Sequence, residues 1–168
     1  MNLYILRHGL AVEYGTPGYK TDSERPLTPE GEKKTRKIAE GLLAMGVSPD
    51  KILTSPFVRA RRTAEIVAEE FKVENRLEEC DYLASGGDHG KLIDYINEHC
   101  GEAQDIMLVG HEPDLSHLIS VLVAGRAGLG LTLKKGGLCK VVVESLRYGR
   151  CGSMEFLLTP RLMIDARQ

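Results

Sequence analysis

The chain is organised by short apolar runs that end in reactive or turn-forming residues, each followed by the start of a helix. Residues 3–6 (LYIL) lead into Arg7-His8-Gly9, residues 51–54 (KILT) into Ser55-Pro56, and residues 105–109 (DIMLV) into Gly110-His111-Glu112-Pro113. Unbroken apolar runs of this length suit strands that are covered on both faces. Helical spacing fills the intervals. Thr28-Pro29-Glu30 reads as a helix start, with Thr as N-cap, Pro at the first helical position and Glu at the positive end of the dipole. Ile38, Leu42 and Met45 give that helix an apolar face, and Gly46 supplies a stop. Ser55-Pro56 opens a second helix, on which Ala60, Ala64, Val67 and Phe71 share one face. Leu92, Ile93 and Ile96 mark a third, and Leu115, Leu118, Ile119, Leu122 and Val123 a fourth. Residues 73–79 carry a weaker strand signal. Lys140 to Ser145 and Ser153 to Thr159 read as a hairpin or two late strands.

This alternation predicts a single α/β domain over residues 1–168. Its central sheet is mainly parallel, with one antiparallel strand near the C-terminus and helices on both faces. A chain of 168 residues is long enough to bury a sizeable core. The net charge of −2 offers no broad basic face, so neither nucleic acid nor a membrane is an expected partner. The N-terminus lacks the pattern of a signal peptide, and no apolar segment approaches the roughly 20 residues that cross a bilayer. A soluble, cytoplasmic protein is expected. Cys80, Cys100, Cys139 and Cys151 are widely spread and form no C-x-x-C pair. Free thiols in a reducing compartment are therefore expected, rather than a zinc site or a disulfide framework.

Ligand sites in open α/β sheets gather beyond the carboxyl ends of the strands. If the runs at 3–6, 51–54 and 105–109 are parallel, their exits bring Arg7, His8, Arg59 and His111 into one pocket. That composition suits a phosphoryl group, because guanidinium forks match its oxygens and stay charged at any working pH. The helix start after Ser55 adds amide donors. The chain has no G-x-x-x-x-G-K-[ST] loop and no carboxylate cluster spaced for magnesium, so neither metal nor cofactor is expected. Taken singly, His8 is equally well a hydrogen-bonded imidazole at a strand end, and Arg59 a surface arginine beside the solvated Arg61 and Arg62. His89, His99 and His117 sit in no motif.

Four groups of residues, in order, resemble the histidine phosphatase superfamily, long grouped with the phosphoglycerate mutases. They are Leu6-Arg7-His8-Gly9, Arg25-Pro26-Leu27-Thr28-Pro29-Glu30-Gly31, Thr54-Ser55-Pro56-Phe57-Val58-Arg59-Ala60 with Thr63-Ala64, and Val109-Gly110-His111-Glu112-Pro113. They span about two-thirds of the chain and look closest to the short bacterial SixA-type branch of phosphohistidine phosphatases. The resemblance implies a phosphoglycerate mutase-like fold. It also implies a metal-independent phosphatase in which His8 is the nucleophile and Arg7, Arg59 and His111 hold the phosphoryl group. Arg25 either lines that pocket or anchors its loop through Asp22 or Glu24. Lys134-Lys135-Gly136-Gly137 is expected to be a solvated turn.

Larger superfamily members place a glutamate over the leaving group. Here Glu79 lies nearest that place and Asp81 is the fallback, and the short stretch between Phe71 and Asp88 leaves no room for an inserted lid. An open, shallow pocket is therefore expected. An alkyl phosphate expels an alkoxide and needs a placed proton donor, whereas a protonated phosphohistidine expels a neutral imidazole. This favours a phosphorylated protein as substrate, and the resemblance points to histidine-containing phosphotransfer domains. The alternatives are a small phosphate ester handled on the same scaffold, or a silent phosphate-binding module.

Overall fold

The computed structural model describes residues 1–167. Its six strands are β1 (Asn2–Arg7), β2 (Lys51–Thr54), β3 (Leu77–Glu79), β4 (Asp105–Gly110), β5 (Leu138–Val143) and β6 (Gly152–Leu158). They form one sheet in the order β3-β2-β4-β1-β5-β6. The first four are mutually parallel. β5 runs against β1, and β6 runs against β5, so β5 is the one reversed strand. The fold class expected from the sequence is the one found.

Two helical layers cover the sheet. Leu3 and Ile5 of β1, Leu53 of β2, and Ile106 and Leu108 of β4 pack toward α3 (His89–His99) and α4 (Asp114–Ala124). Tyr4, Leu6, Ile52, Met107 and Val109 point the other way, toward α1 (Pro29–Ala44), α2 (Val58–Phe71) and α5 (Pro160–Asp165). Successive strand residues alternate faces, so burial on both sides requires unbroken apolar runs. Each such side chain contributes about 1.5–3 kcal/mol when fully buried.

Local chemistry fixes the helix entries. The Thr28 hydroxyl accepts from the Gly31 amide at 2.9 Å, as an N-cap should. A Cβ on Gly31 would lie 2.0 Å from the Leu10 carbonyl oxygen, so only glycine lets α1 close against the chain leaving β1. The second helix departs from expectation. α2 begins at Val58, with Phe57 at its N-cap and no side-chain cap. Ser55, the expected cap, turns its hydroxyl to the Phe57 amide at 3.2 Å and to His111 at 2.8 Å. β3 is three residues long and follows a 3₁₀ turn at Glu74–Arg76. The four cysteines are unpaired, with Cys80, Cys100 and Cys139 buried. No described helix is long and apolar enough to cross a membrane.

Candidate active site

The register of the parallel strands sets three exits side by side. Arg7 ends opposite Gly110 in the β1–β4 ladder. Beyond it the His8 amide donates to the Gly110 carbonyl at 3.1 Å, and the Ser55 amide donates to the Val109 carbonyl at 2.9 Å. His8 and His111, remote in sequence, consequently stand with ring centroids 5.2 Å apart. A fourth segment closes this edge. The Gly136 amide donates to the carbonyls of Arg7 (3.1 Å) and His8 (3.0 Å), and the Arg7 amide returns a bond to the Gly137 carbonyl at 3.0 Å. Gly136 sits at φ +73°, in the left-handed region that favours glycine.

His8 is 6% exposed, and its Nδ1 lies 2.8 Å from the Gly9 carbonyl oxygen. A carbonyl only accepts, so Nδ1 carries the proton and Nε2 keeps its lone pair. Arg59 Nε–H donates to that lone pair at 3.2 Å. Burial pushes the His8 pKa down to about 3. The bond to Gly9 opposes this shift, while the charges of His111, Arg59 and Arg7 add to it. The ring is neutral at physiological pH.

Arg59, 3% exposed, is gripped from two sides. Its Nη1 donates to the Asp22 carbonyl at 2.7 Å and its Nη2 to Asp22 Oδ2 at 2.8 Å. Asp22 Oδ1 in turn accepts from Arg25 Nε (2.9 Å) and Nη2 (2.6 Å), and Arg25 Nη1 reaches the Val12 carbonyl at 2.5 Å. Although desolvation pushes upward, the bonds from Arg25 and Arg59 hold the Asp22 carboxyl below its ordinary pKa. Thr63 ties this helix to the strand exit, donating to the Arg59 carbonyl at 2.7 Å and accepting from the Gly9 amide at 3.0 Å.

His111 is 2% exposed, and its pKa is pushed down to about 4, chiefly by burial and then by Arg59. Its Nε2 meets the Ser55 hydroxyl, but its Nδ1 has no partner. Arg7 donates through Nη1 to the Leu133 carbonyl at 3.0 Å and leaves Nε unpartnered. Among the described residues these are the two buried side-chain nitrogen or oxygen atoms without a hydrogen bond. A buried polar group in that state costs about 1–3 kcal/mol. Both belong to the cluster, and an oxyanion bound among these cations offers the acceptors that an apolar ligand lacks.

The two depressed histidines make stability depend on pH. Each folded pKa lies below its unfolded value near 6.5, so between there and about 3 to 4 the unfolded chain binds more protons. Stability is therefore complete above pH 6.5 and is lost as pH falls through that window, by about 2 kcal/mol per histidine between pH 7 and pH 5. Urea unfolding at the two pH values should show the drop, and His8→Asn should remove about half of it. An unchanged slope in that variant assigns the acid sensitivity to other groups.

The four residues singled out in the sequence, Arg7, His8, Arg59 and His111, thus come together. Arg25 is anchored on Asp22, and through that carboxylate it steadies Arg59. Arg61 and Arg62 are not simply solvated: they pair with Glu65 and Glu79, and with Glu32, Glu65 and Glu69 respectively. Glu79 has its carboxylate 2.9 Å from Arg61, and Asp81 is exposed at the start of a 3₁₀ turn; neither makes a hydrogen bond with the cluster. The expected open, shallow pocket is corrected. The 3₁₀ turn Asp22–Glu24 lies on α2 with Asp22 bonded to Arg59, so the cluster is nearly sealed without any inserted lid. Asp22 is the anchor of Arg25 that the sequence offered beside Glu24, whereas its grip on Arg59 and the bond from Ser55 to His111 escaped sequence reasoning.

The sequence profile of the histidine phosphatase superfamily (branch 1) matches residues 3–104, which takes in Arg7, His8 and Arg59 and stops short of His111. An uncharacterized protein of Picosynechococcus sp. is 38% identical over 140 residues, 82% of each chain. The phosphohistidine phosphatase SixA of Escherichia coli is 30% identical over 126 residues, 74% of this chain and 76% of that one. The structure of the protein histidine phosphatase SixA complexed with tungstate superposes with a TM-score of 0.81 at 26% identity, covering 96% of this chain and 98% of that one. With its sheet order, its convergent strand exits and these relatives, the chain belongs to the histidine phosphatase superfamily (branch 1), in the SixA-type group.

Proposed function

We propose that this phosphatase removes the phosphoryl group from phosphohistidine on a protein, through a covalent intermediate on His8 and without a metal ion. Residues 1–168 act in this reading as one histidine phosphatase domain, in a reducing cytosol where its four free thiols are at home. The observation that carries the proposal is the tautomer of His8: Nδ1–H is spent on Gly9, leaving an Nε2 lone pair facing Arg59 inside a buried cationic cluster. The SixA relative's tungstate, a tetrahedral oxyanion, is consistent with a site of this kind.

The chemistry follows from the contacts. A bound phosphoryl group draws the guanidiniums of Arg59 and Arg7 onto its oxygens, which releases the His8 lone pair from Arg59 Nε–H. Its negative charge also favours the protonated form of His111, whose free Nδ1 then donates to an oxygen. His8 Nε2 attacks phosphorus, the bond from phosphorus to the substrate imidazole breaks, and that imidazole departs neutral once protonated. Water then attacks phosphorus, the bond to Nε2 breaks, and inorganic phosphate leaves. Fixed cations facing the equatorial oxygens supply the main stabilisation. Glu79 is paired with Arg61, and neither it nor Asp81 hydrogen-bonds to the cluster, which suits a substrate that asks little of an acid.

The test compares a phosphorylated histidine-containing phosphotransfer domain with a panel of sugar and nucleotide phosphates, each assayed with and without EDTA. The phosphoprotein should be preferred in kcat/KM by at least about tenfold, with no loss in chelator. Preference for small esters selects the phosphomonoesterase reading, and loss in EDTA that a divalent ion restores removes the metal-free mechanism.

A further inference from the structure

Beside the phosphoryl site lies an open cleft of about 470 Å³ whose walls carry Arg7, Lys34, Lys134, Lys135 and Arg161, and no acidic residue. A chain of net charge −2 has gathered five cations around one hollow. They come from four separate elements: the end of β1, α1, the turn before β5 and the first turn of α5. Among the described residues none of the three lysines pairs with a carboxylate, and Arg161 meets Asp165 only at 3.7 Å with its side chain 90% exposed.

The two turn lysines are held in register with the chemistry. Lys134 and Lys135 precede the Gly136 and Gly137 backbone groups that bond to Arg7 and His8, and the Gly137 amide closes the turn on the Lys134 carbonyl at 2.6 Å. These bonds extend the antiparallel β1–β5 ladder beyond Leu6 and Leu138, which fixes the lysine turn beside the exit that carries His8. Arg7 belongs to both places, lining the cleft while its charge reaches the two imidazoles.

We propose that this cleft receives an acidic segment of the protein that bears the phosphohistidine, and so acts as the determinant of protein over small-molecule substrates. The inference rests on the function proposed above. The arrangement of the cations favours a peptide over a second small anion. A single tetrahedral anion is held by buried, converging forks, whereas here Lys134 and Lys135 stand exposed on flexible stems, with Lys34 half-buried, around a wide hollow. Dispersed ammonium groups suit carboxylates dispersed along a chain, and like-signed surfaces of this kind steer oppositely charged partners.

Charge reversal tests the cleft in two independent ways. The variants are Lys134→Glu/Lys135→Glu and, on a separate element, Lys34→Glu. All these side chains lie outside the phosphoryl cluster, and hydrolysis of para-nitrophenyl phosphate should be unchanged in both, which certifies folding. KM for the phosphoprotein should rise by at least about tenfold with kcat preserved, and the salt dependence of kcat/KM should flatten. Separately, fluorescence anisotropy should show a labelled Asp/Glu-rich peptide binding the unaltered protein and not the variants. Unchanged KM in both variants overturns the cleft and leaves the phosphatase reading standing. Peptide binding lost in the variants, with no turnover of any phosphohistidine protein by the unaltered enzyme, overturns the reading and keeps the cleft. No peptide binding, with KM raised instead for a sugar bisphosphate, overturns the acidic-segment assignment in favour of a second phosphate subsite.

Discussion

His8→Ala lowers kcat by at least about 10⁴-fold and abolishes the acid-labile phosphoenzyme seen when turnover is quenched. The expectation is this large because no neighbouring group can take over the role. Arg7 and Arg59 are permanently charged and have no lone pair to offer, and His111, with Nε2 on Ser55, uses its other ring nitrogen as a donor to the phosphoryl group in the mechanism proposed above. The substitution leaves the bonds between the His8 backbone, Gly110 and Gly136 in place, so the fold should survive. A quench experiment with labelled substrate, analysed alongside steady-state rates, separates the chemistry from the folding. Label recovered on another residue, or a variant retaining a tenth of the parent rate, removes His8 from the role given to it.

Arg59→Ala should lower kcat/KM by about 10²- to 10³-fold, the usual consequence of removing one donor aimed at transition-state charge. Arg59→Lys should recover little of it. A lysine places one point charge where the guanidinium now makes three bonds, to His8, to the Asp22 carbonyl and to the Asp22 carboxylate. Orthovanadate inhibition supplies the discriminating readout. If Arg59 meets the oxyanion, the inhibition constant should rise roughly in step with the loss in kcat/KM. Lost activity with unchanged vanadate affinity means that Arg59 acts by holding the Asp22 turn in place.

Much of this molecule is legible in the chain because both faces of its sheet are covered. LYIL and DIMLV announce buried strands, and Thr28-Pro29-Glu30 announces α1, since the cap is satisfied by residues within one turn. β3 is fainter: LEE at the sheet edge pairs only with β2 and exposes Glu79, so no apolar pattern is demanded of it. The start of α2 is not legible locally, because Ser55 spends its hydroxyl on a histidine far away in sequence. Site membership could be read from parallel strand exits, but not the sealing of the site. That depends on a tertiary bond from Asp22 to Arg59, and a local pattern such as Asp-x-x-Arg points only to its partner Arg25.

The single reversal of β5 has an evolutionary corollary. A strand running with its neighbours would receive its preceding loop at the opposite end of the sheet; running against them, it delivers residues 134–137 to the reactive end, and β6 carries the chain back to place Pro160 and Arg161 there too. Partner choice can accordingly drift through insertions and charge changes in two connecting segments, while the strands that hold the imidazoles are left alone.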